Sequence, residues 1–414
     1  MSNIAVLENH TMQWDRPIAP TFTTLKAAIV VAWGQKISSL WLPQHHELSD
    51  EWDAIVQGAI GAGWITRETN GHVSSIETVS PRSGHRTLLI NLNFTRDWPF
   101  AQMSAAGIYD ALVHLERATG VEIGDHCYAL AGIGAKWIRN YSNRAWLAPL
   151  VNRSINWTVA SDLSWKRPLT TDEQRKRYIH LYDTNSAYLS VAATTTLSAG
   201  EPIPITTYQP NTRSLYYAHV VPRDSVWDNG MLPAPVHPGL HRQGVNHWYY
   251  EPVIRFAIDN GWDVTILDGW LFPETHTTLK TWAHEAWEAR QKIRDMPIVN
   301  SMIKVAINAG MGLVDRPRPD VWGYIVSENR RRRLENVKQQ MQDNAATPFV
   351  IDVDNIGYAS NDPNPMTACP ILMRRAHSLG GYKVAYSGPM IDGLGTAKTA
   401  NELANLIKSV KVIA

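Results

Sequence analysis

The chain has 414 residues, of which 44% are hydrophobic and 19% charged, with a formal net charge of +1. That length supports two or three domains with substantial cores. The near-neutral balance excludes a globally basic nucleic-acid binder, so a nucleic-acid site must rest on a local patch. Cys127 and Cys369 are the two cysteines, too few for a disulfide framework or a cysteine-rich zinc module, and a reduced, cytoplasmic setting is expected. The opening residues MSNIAVLENHTMQWDRP show no basic-then-apolar leader. No apolar run reaches membrane-spanning length, so no membrane partner is expected. Seventeen tryptophans against six phenylalanines can stack on bases, but indole is ordinary core filler and is read so.

In chain order, residues 1–20 are polar and read as an arm or lead-in. Ser49 caps a predicted helix that runs to about Gly61–Gly63, with Asp50 and Glu51 in its first turn. A hairpin turning at Asn70-Gly71 follows, compatible with a winged helix or with a generic α/β packing unit, the latter preferred. Leu88–Leu92 is a buried-strand candidate, and 103–119 and 128–141 read as helices. Gly132-Ile-Gly134 is too short a pattern for a phosphate loop and predicts a tight helix contact. Residues 190–275 are extended and turn-rich. His237, His241 and His247 lack a thiol or fourth ligand at zinc spacing.

Residues 278–294 form a helix with Trp282, Ala286, Ala289 and Ile293 as its apolar stripe. A second helix starts after Pro297 and is stopped by Pro317 and Pro319, giving a helical hairpin. Lys304 and Asn308 lie on one face of it. Arg330, Arg331, Arg332 and Arg333 stand at a predicted helix start, either as a solvated face or as phosphate ligands. Helix 367–379, a strand entry at Leu379-Gly-Gly-Tyr-Lys383 and one helix within 398–410 complete the pass; no full thumb domain fits.

Two strands carry the chemistry. Residues 177–184 deliver Asp183 to a strand end, before Ser186 and Tyr188. In Pro348–Asn355, side-chain alternation puts Phe349, Ile351 and Val353 on a core face and Asp352 and Asp354 on the other. Two like charges ~4 Å apart at an effective dielectric of ~20 repel by roughly 4 kcal/mol. Such a cluster takes up protons or binds a cation, and hard oxygen ligands favour magnesium or manganese.

Asp183-Thr-Asn-Ser-Ala-Tyr188 resembles the D-x-x-S-L-Y-P palm motif of family B DNA polymerases, Asp352-Val-Asp354-Asn355 their D-T-D-S motif, and Lys304-Val-Ala-Ile-Asn308-Ala-Gly-Met311-Gly312 their fingers motif K-x-x-x-N-S-x-Y-G. The order is the family order and the likeness spans roughly 125–385. Trp248–Glu251 through Gly261–Phe272 is similar to the protein-primed branch.

The resemblance implies an α+β fold, with a palm of antiparallel sheet and helices, a helical fingers hairpin and an N-terminal α/β region. The implied layout is an N-terminal α/β or winged-helix-like unit over 1–95, a helical remnant of an exonuclease-like region over 96–165, palm with an insertion over 166–275, fingers over 276–314, the second palm part over 315–395 and a C-terminal helix or tail over 396–414. It implies template-directed nucleotide transfer with two Mg²⁺ or Mn²⁺ ions on Asp183, Asp352 and Asp354. DNA template and primer, dNTPs and a terminal priming protein are the implied partners, and a phage or mobile element the implied source. Lys304 would hold the triphosphate, Asn308 would sit beside the nascent pair, and Arg290, or Lys292 on the opposite face, would add a cation. Ser186 would contact phosphates, Tyr188 would exclude a ribose 2′-hydroxyl, and Arg330, Arg331, Arg332 and Lys383 would touch nucleic acid.

Asn91-Leu92-Asn93-Phe94 holds no D-x-E pair, which implies that proofreading is absent. Leu189, Met311, Asn355 and Val350 depart from the family pattern, which implies altered base selection or fidelity. A catalytically silent palm-derived accessory protein and a metal-dependent nuclease on an unrelated sheet are the competing expectations.

Overall fold

The computed structural model describes residues 3–8, 11–15, 21–43, 51–69, 71–93, 98–124, 129–141, 164–223, 227, 232, 245–315, 318–344, 346–391 and scattered positions from 393 to 407. Two compact units emerge, Met1–Ser142 with Glu285–Leu313, and Asn143–His284 with Val314–Ala414.

The first unit is built on a six-stranded sheet in the order Thr11–Gln13, Ile4–Glu8, Ser39–Leu42, Arg86–Asn91, His72–Val79, Ile65–Thr69. Ile4–Glu8, Ser39–Leu42 and Arg86–Asn91 run parallel. The lead-in expected over 1–20 is thereby corrected, because Ile4, Ala5, Val6 and Leu7 are fully buried in an interior strand. A short, continuous apolar run is what a strand covered on both faces requires.

Helix Leu25–Gly34 is capped by Thr24, which accepts from Ala27 N at 3.2 Å. It shares a core with helix Trp52–Gly61 and the sheet through Leu25, Ile29, Trp52, Val56 and Leu89. The expected cap Ser49 lies outside the described residues; the helix starts after Glu51, whose carboxylate accepts from Leu25 N at 2.8 Å. The hairpin pairs Thr69 with His72 and forms the sheet edge; Asn70 lies outside the described residues. Helices Ala105–Thr119 and Leu130–Tyr141 follow as read.

The helical hairpin is Thr278–Lys292 and Pro297–Asp315. Its second helix crosses Leu130–Tyr141 backbone to backbone. A Cβ on Gly134 would fall 1.8 Å from the Ala306 carbonyl oxygen, and one on Gly310 would fall 2.6 Å from the Gly134 carbonyl carbon. The tight helix contact expected at the glycine pair is made by Gly134.

The second unit holds a five-stranded antiparallel sheet in the order Tyr382–Pro389, Tyr178–Thr184, Asn355–Ser360, Val350–Asp352, Ser164–Lys166. One face packs Tyr182, Ile351, Ile356 and Tyr358 with Leu334 and Val337 of helix Pro319–Asn344. The other packs Ile179, Phe349 and Val350 with Leu169, Ile391 and Leu394. A four-stranded sheet, Ile203–Pro204, Asp263–Phe272, Arg213–Val221 and Val245–Tyr250, and helix Glu251–Asp259 occupy much of the stretch read as turn-rich.

The helix expected over 367–379 is corrected to two four-residue helices, Pro365–Ala368 and Pro370–Met373. Pro370 has no N–H to continue the first of them. His237, His241 and Cys127 lie outside the described residues. Among the described residues, no helix is long and apolar enough to cross a membrane.

Candidate active site

Asp183 is the last but one residue of the interior strand Tyr178–Thr184. Its cross-strand partners are Asn355 on one side and Lys383 on the other. Alternation places Asp183 on the face of Ile179 and Leu181, which pack in the core, so the carboxylate sits where that apolar face ends.

The Pro348–Asn355 segment differs from the single strand expected. Strand Val350–Asp352 stops, Val353 and Asp354 form a two-residue turn, and Asn355–Ser360 returns against it. Val353 is thus not a core-face strand residue; it holds a left-handed φ of 52°, unusual for a β-branched side chain and costing on the order of 1–3 kcal/mol. The turn is fastened to strand Tyr178–Thr184, with Thr184 N and Oγ1 donating to the Asp354 carbonyl at 3.0 and 3.2 Å. This brings the Asp354 carboxyl into hydrogen-bond reach of Asp183. Burial, and then the charge of Asp183, push Asp354 up to about 6, while Arg333 pulls the other way.

Asp354 therefore reaches Asp183 from a turn, not from a strand face shared with Asp352. Asp352, paired with Asn355 before that turn, is half-buried. Among the described residues no three His, Cys, Asp or Glu side chains form a group able to hold a metal; the two acids in hydrogen-bond reach of each other are Asp183 and Asp354. Lys383 Nζ lies 2.6 Å from Asp183 Oδ2, so the lysine expected on nucleic acid is bonded to a candidate ligand.

Past the strand, Asn185 N donates to Gly381 O at 2.8 Å and Gly380 N to Asn185 O at 2.9 Å, pinning the turn. Ser186 has a φ of 51° and begins helix Ala187–Thr194. Half-buried Tyr188 lies 4.9 Å, centroid to centroid, from Trp322.

The arginine run is corrected on two counts. It lies in the interior of the 26-residue helix Pro319–Asn344, not at a helix start, and it is not a solvated face. Arg330 and Arg333 are 4% and 2% exposed. Arg331 bonds Glu328 at 2.7 Å and also Glu335; Arg332 bonds Glu328 at 2.8 Å and Thr195 at 3.1 Å. Burial alone would raise Glu328, but the bonds from Arg331 and Arg332 hold it below the usual carboxylate range. Charges taken out of water need such partners, which Glu328 finds in Arg331 and Arg332.

Lys304 and Asn308 belong to the first unit. Both are exposed with Ser301, Val305 and Gly312, while Met302, Ile303, Ala306, Ile307, Gly310 and Met311 form the buried face. Arg290 Nε donates to Asn300 Oδ1 at 3.1 Å, tying the two hairpin helices, and Lys292 is exposed. The structure thus groups Asp183, Asp354, Lys383, Ser186 and Tyr188 in one unit and Arg290, Lys304 and Asn308 in the other. Sequence reasoning missed Trp322, which no motif marks, and the electrostatic part of Arg333, hidden in a run that looked solvated.

No protein-family model and no curated protein matches the sequence. Solved structures do. Phi29 DNA polymerase with primer-template DNA and incoming nucleotide substrates aligns with a TM-score of 0.60 and 10% identity over 93% of this chain and 84% of that chain. The chain shares the fold of phi29 DNA polymerase. The binary complex of that polymerase gives a TM-score of 0.56 at 11% identity with the same coverage. The family B DNA polymerase of the archaeon Pyrobaculum calidifontis gives 0.42 at 11% identity, over 97% of this chain and 61% of that one.

The donor set can be tested for a cation. Two carboxylates hold each other in hydrogen-bond reach, one with its proton affinity raised, and a lysine supplies positive charge at 2.6 Å. Such clustered anionic oxygens fit a hard divalent ion. A bound ion and Lys383 would compete for Asp183. Lys383→Met is therefore expected to tighten Mn²⁺ binding by up to about fivefold, since a part-exposed ion pair is worth ~1 kcal/mol at most. Titration of the metal-free protein followed by electron paramagnetic resonance measures it.

Proposed function

We propose that the chain is a template-directed nucleotidyl transferase, a DNA polymerase without proofreading. The observation that carries this reading is the Asp183–Asp354 pair at the end of strand Tyr178–Thr184, in a chain with a DNA polymerase fold. The reaction needs positioning and charge stabilisation more than covalent chemistry. Asp183 and Asp354 would hold Mg²⁺ or Mn²⁺, with Asp352 as a second-rank ligand. A cation there supplies charge stabilisation for the transferring phosphoryl group and the attacking and leaving oxygens.

Lys304 binds the triphosphate of a dNTP, Asn308 lies beside the pairing base, and Arg290 acts through the hairpin by holding Asn300. Ser186 and the backbone of the pinned turn orient phosphates. Tyr188 meets the sugar, and Lys383, once released from Asp183, reaches the nucleic acid. The template, primer and terminal protein are partners by the same reading.

The test is incubation with labelled dNTPs, Mg²⁺ or Mn²⁺ and a DNA template, with and without primer, beside Asp354→Ala. Extension that disappears in the variant is expected. Degradation of the template would point to a nuclease. Silence would favour a palm-derived binding protein.

A further inference from the structure

Tyr188 stands at the second position of helix Ala187–Thr194, five residues beyond Asp183, with its ring partly open. An aromatic ring on one side of a site discriminates only if it cannot retreat. Trp322 closes that retreat: the two rings are 4.9 Å apart and inclined at 57°.

Trp322 is itself held by the first turn of helix Pro319–Asn344, which is fastened from several sides. Arg318 and Asp320, both about 1% exposed, bond each other at 2.7 Å, and Ser198 donates to Asp320. Tyr250 Oη donates to Pro319 O at 3.1 Å. The Tyr250 ring lies so close to Gly323 that a Cβ there would fall 2.2 Å from it. The backbone on each side of Trp322 is therefore fixed by these contacts, and the indole packs against the Tyr188 ring.

We propose that Trp322 is the positioning residue that fixes Tyr188 as a rigid wall, and so sets the preference for deoxyribonucleotides over ribonucleotides. This rests on the polymerase reading and deepens it. Without the indole, Tyr188 swings back and a 2′-hydroxyl is admitted. Trp322 touches Tyr188, so its loss should change sugar selection more than the chemical step.

The experiment compares kcat and KM for dNTPs and rNTPs in the wild type, Trp322→Leu and Trp322→Phe, each checked by thermal melting. In Trp322→Leu, selectivity for dNTPs should fall about tenfold, the order a single lost steric contact produces, through a lower KM for rNTPs, with kcat for dNTPs within about twofold. Trp322→Phe should fall about threefold by the same steric argument and serves alone if the leucine variant does not fold. In a Tyr188→Ala background the Trp322→Phe effect should vanish. Unchanged selectivity in a folded, active Trp322 variant overturns the inference, as does an effect that persists without Tyr188. No incorporation by the wild type overturns the polymerase reading itself, and with it this one.

Discussion

Asp354→Asn is expected to lower nucleotide incorporation by roughly 10³-fold or more, since a lost cation site removes several kcal/mol of charge stabilisation. The same variant should make the metal-free protein more stable at pH 7. Asp354 is pushed up to about 6 in the folded chain by burial and Asp183. A carboxyl raised above its ordinary value of ~4 contributes stability that is full below that value and lost as pH rises through the folded value. At pH 7 the folded chain therefore carries a charged Asp354 in a largely buried place beside Asp183, and asparagine removes that charge. The expected gain is on the order of 1–2 kcal/mol, given what a pKa unit is worth. Urea unfolding of both proteins between pH 4 and pH 8, without metal, should show a difference that shrinks toward pH 4. A pH-independent difference would mean that Asp354 acts on stability through packing. Loss of activity without gain in stability would mean that the acid pair is relaxed in solution.

The second large effect concerns the helix crossing in the first unit. Gly134→Ala places a methyl 1.8 Å from the Ala306 carbonyl oxygen, a backbone atom that cannot rotate away. The helices must separate, and the expected loss is about 3 kcal/mol or more, at or beyond the upper end of ordinary overpacking. Gly310→Ala meets the Gly134 backbone at 2.6 Å and should cost a similar amount. Because the two share one contact, the double variant should cost less than the sum of the singles. Gly312→Ala is the control: its Cβ meets nothing within 4 Å, and alanine in an exposed helix should gain up to ~1 kcal/mol. Thermal melts of the four variants decide this. Ala306 lies between Lys304 and Asn308 on the opposite face of the helix, so the crossing also fixes the rotation at which those two residues are presented.

Local patterns were legible where local forces decide. The apolar stripe of Thr278–Lys292 is buried as periodicity requires, and Lys304 and Asn308 share an exposed face because they are one turn apart. Asp183 could be placed at a strand end because the apolar alternation before it stops there. The turn at Val353-Asp354 left no mark, since valine carries no turn preference and adopts a left-handed φ only under tertiary constraint. The inward packing of the arginine run was not legible because it depends on distant segments: Glu328, two residues before the run, is bonded by Arg255 at 3.1 Å, and Arg332 reaches Thr195. Ile4–Glu8 was missed because its parallel neighbour Ser39–Leu42 comes only after an intervening helix.

The first unit is discontinuous, since Glu285–Leu313 returns to a body begun by Met1–Ser142. During synthesis, helix Leu130–Tyr141 leaves the ribosome well before the helix that covers Gly134. At about 5–20 residues per second, roughly 150 residues of intervening chain take on the order of 8–30 s to translate. Throughout that interval the nascent unit exposes a surface shaped for a helix not yet made, and a chaperone or a neighbouring nascent chain has its best opportunity to occupy it.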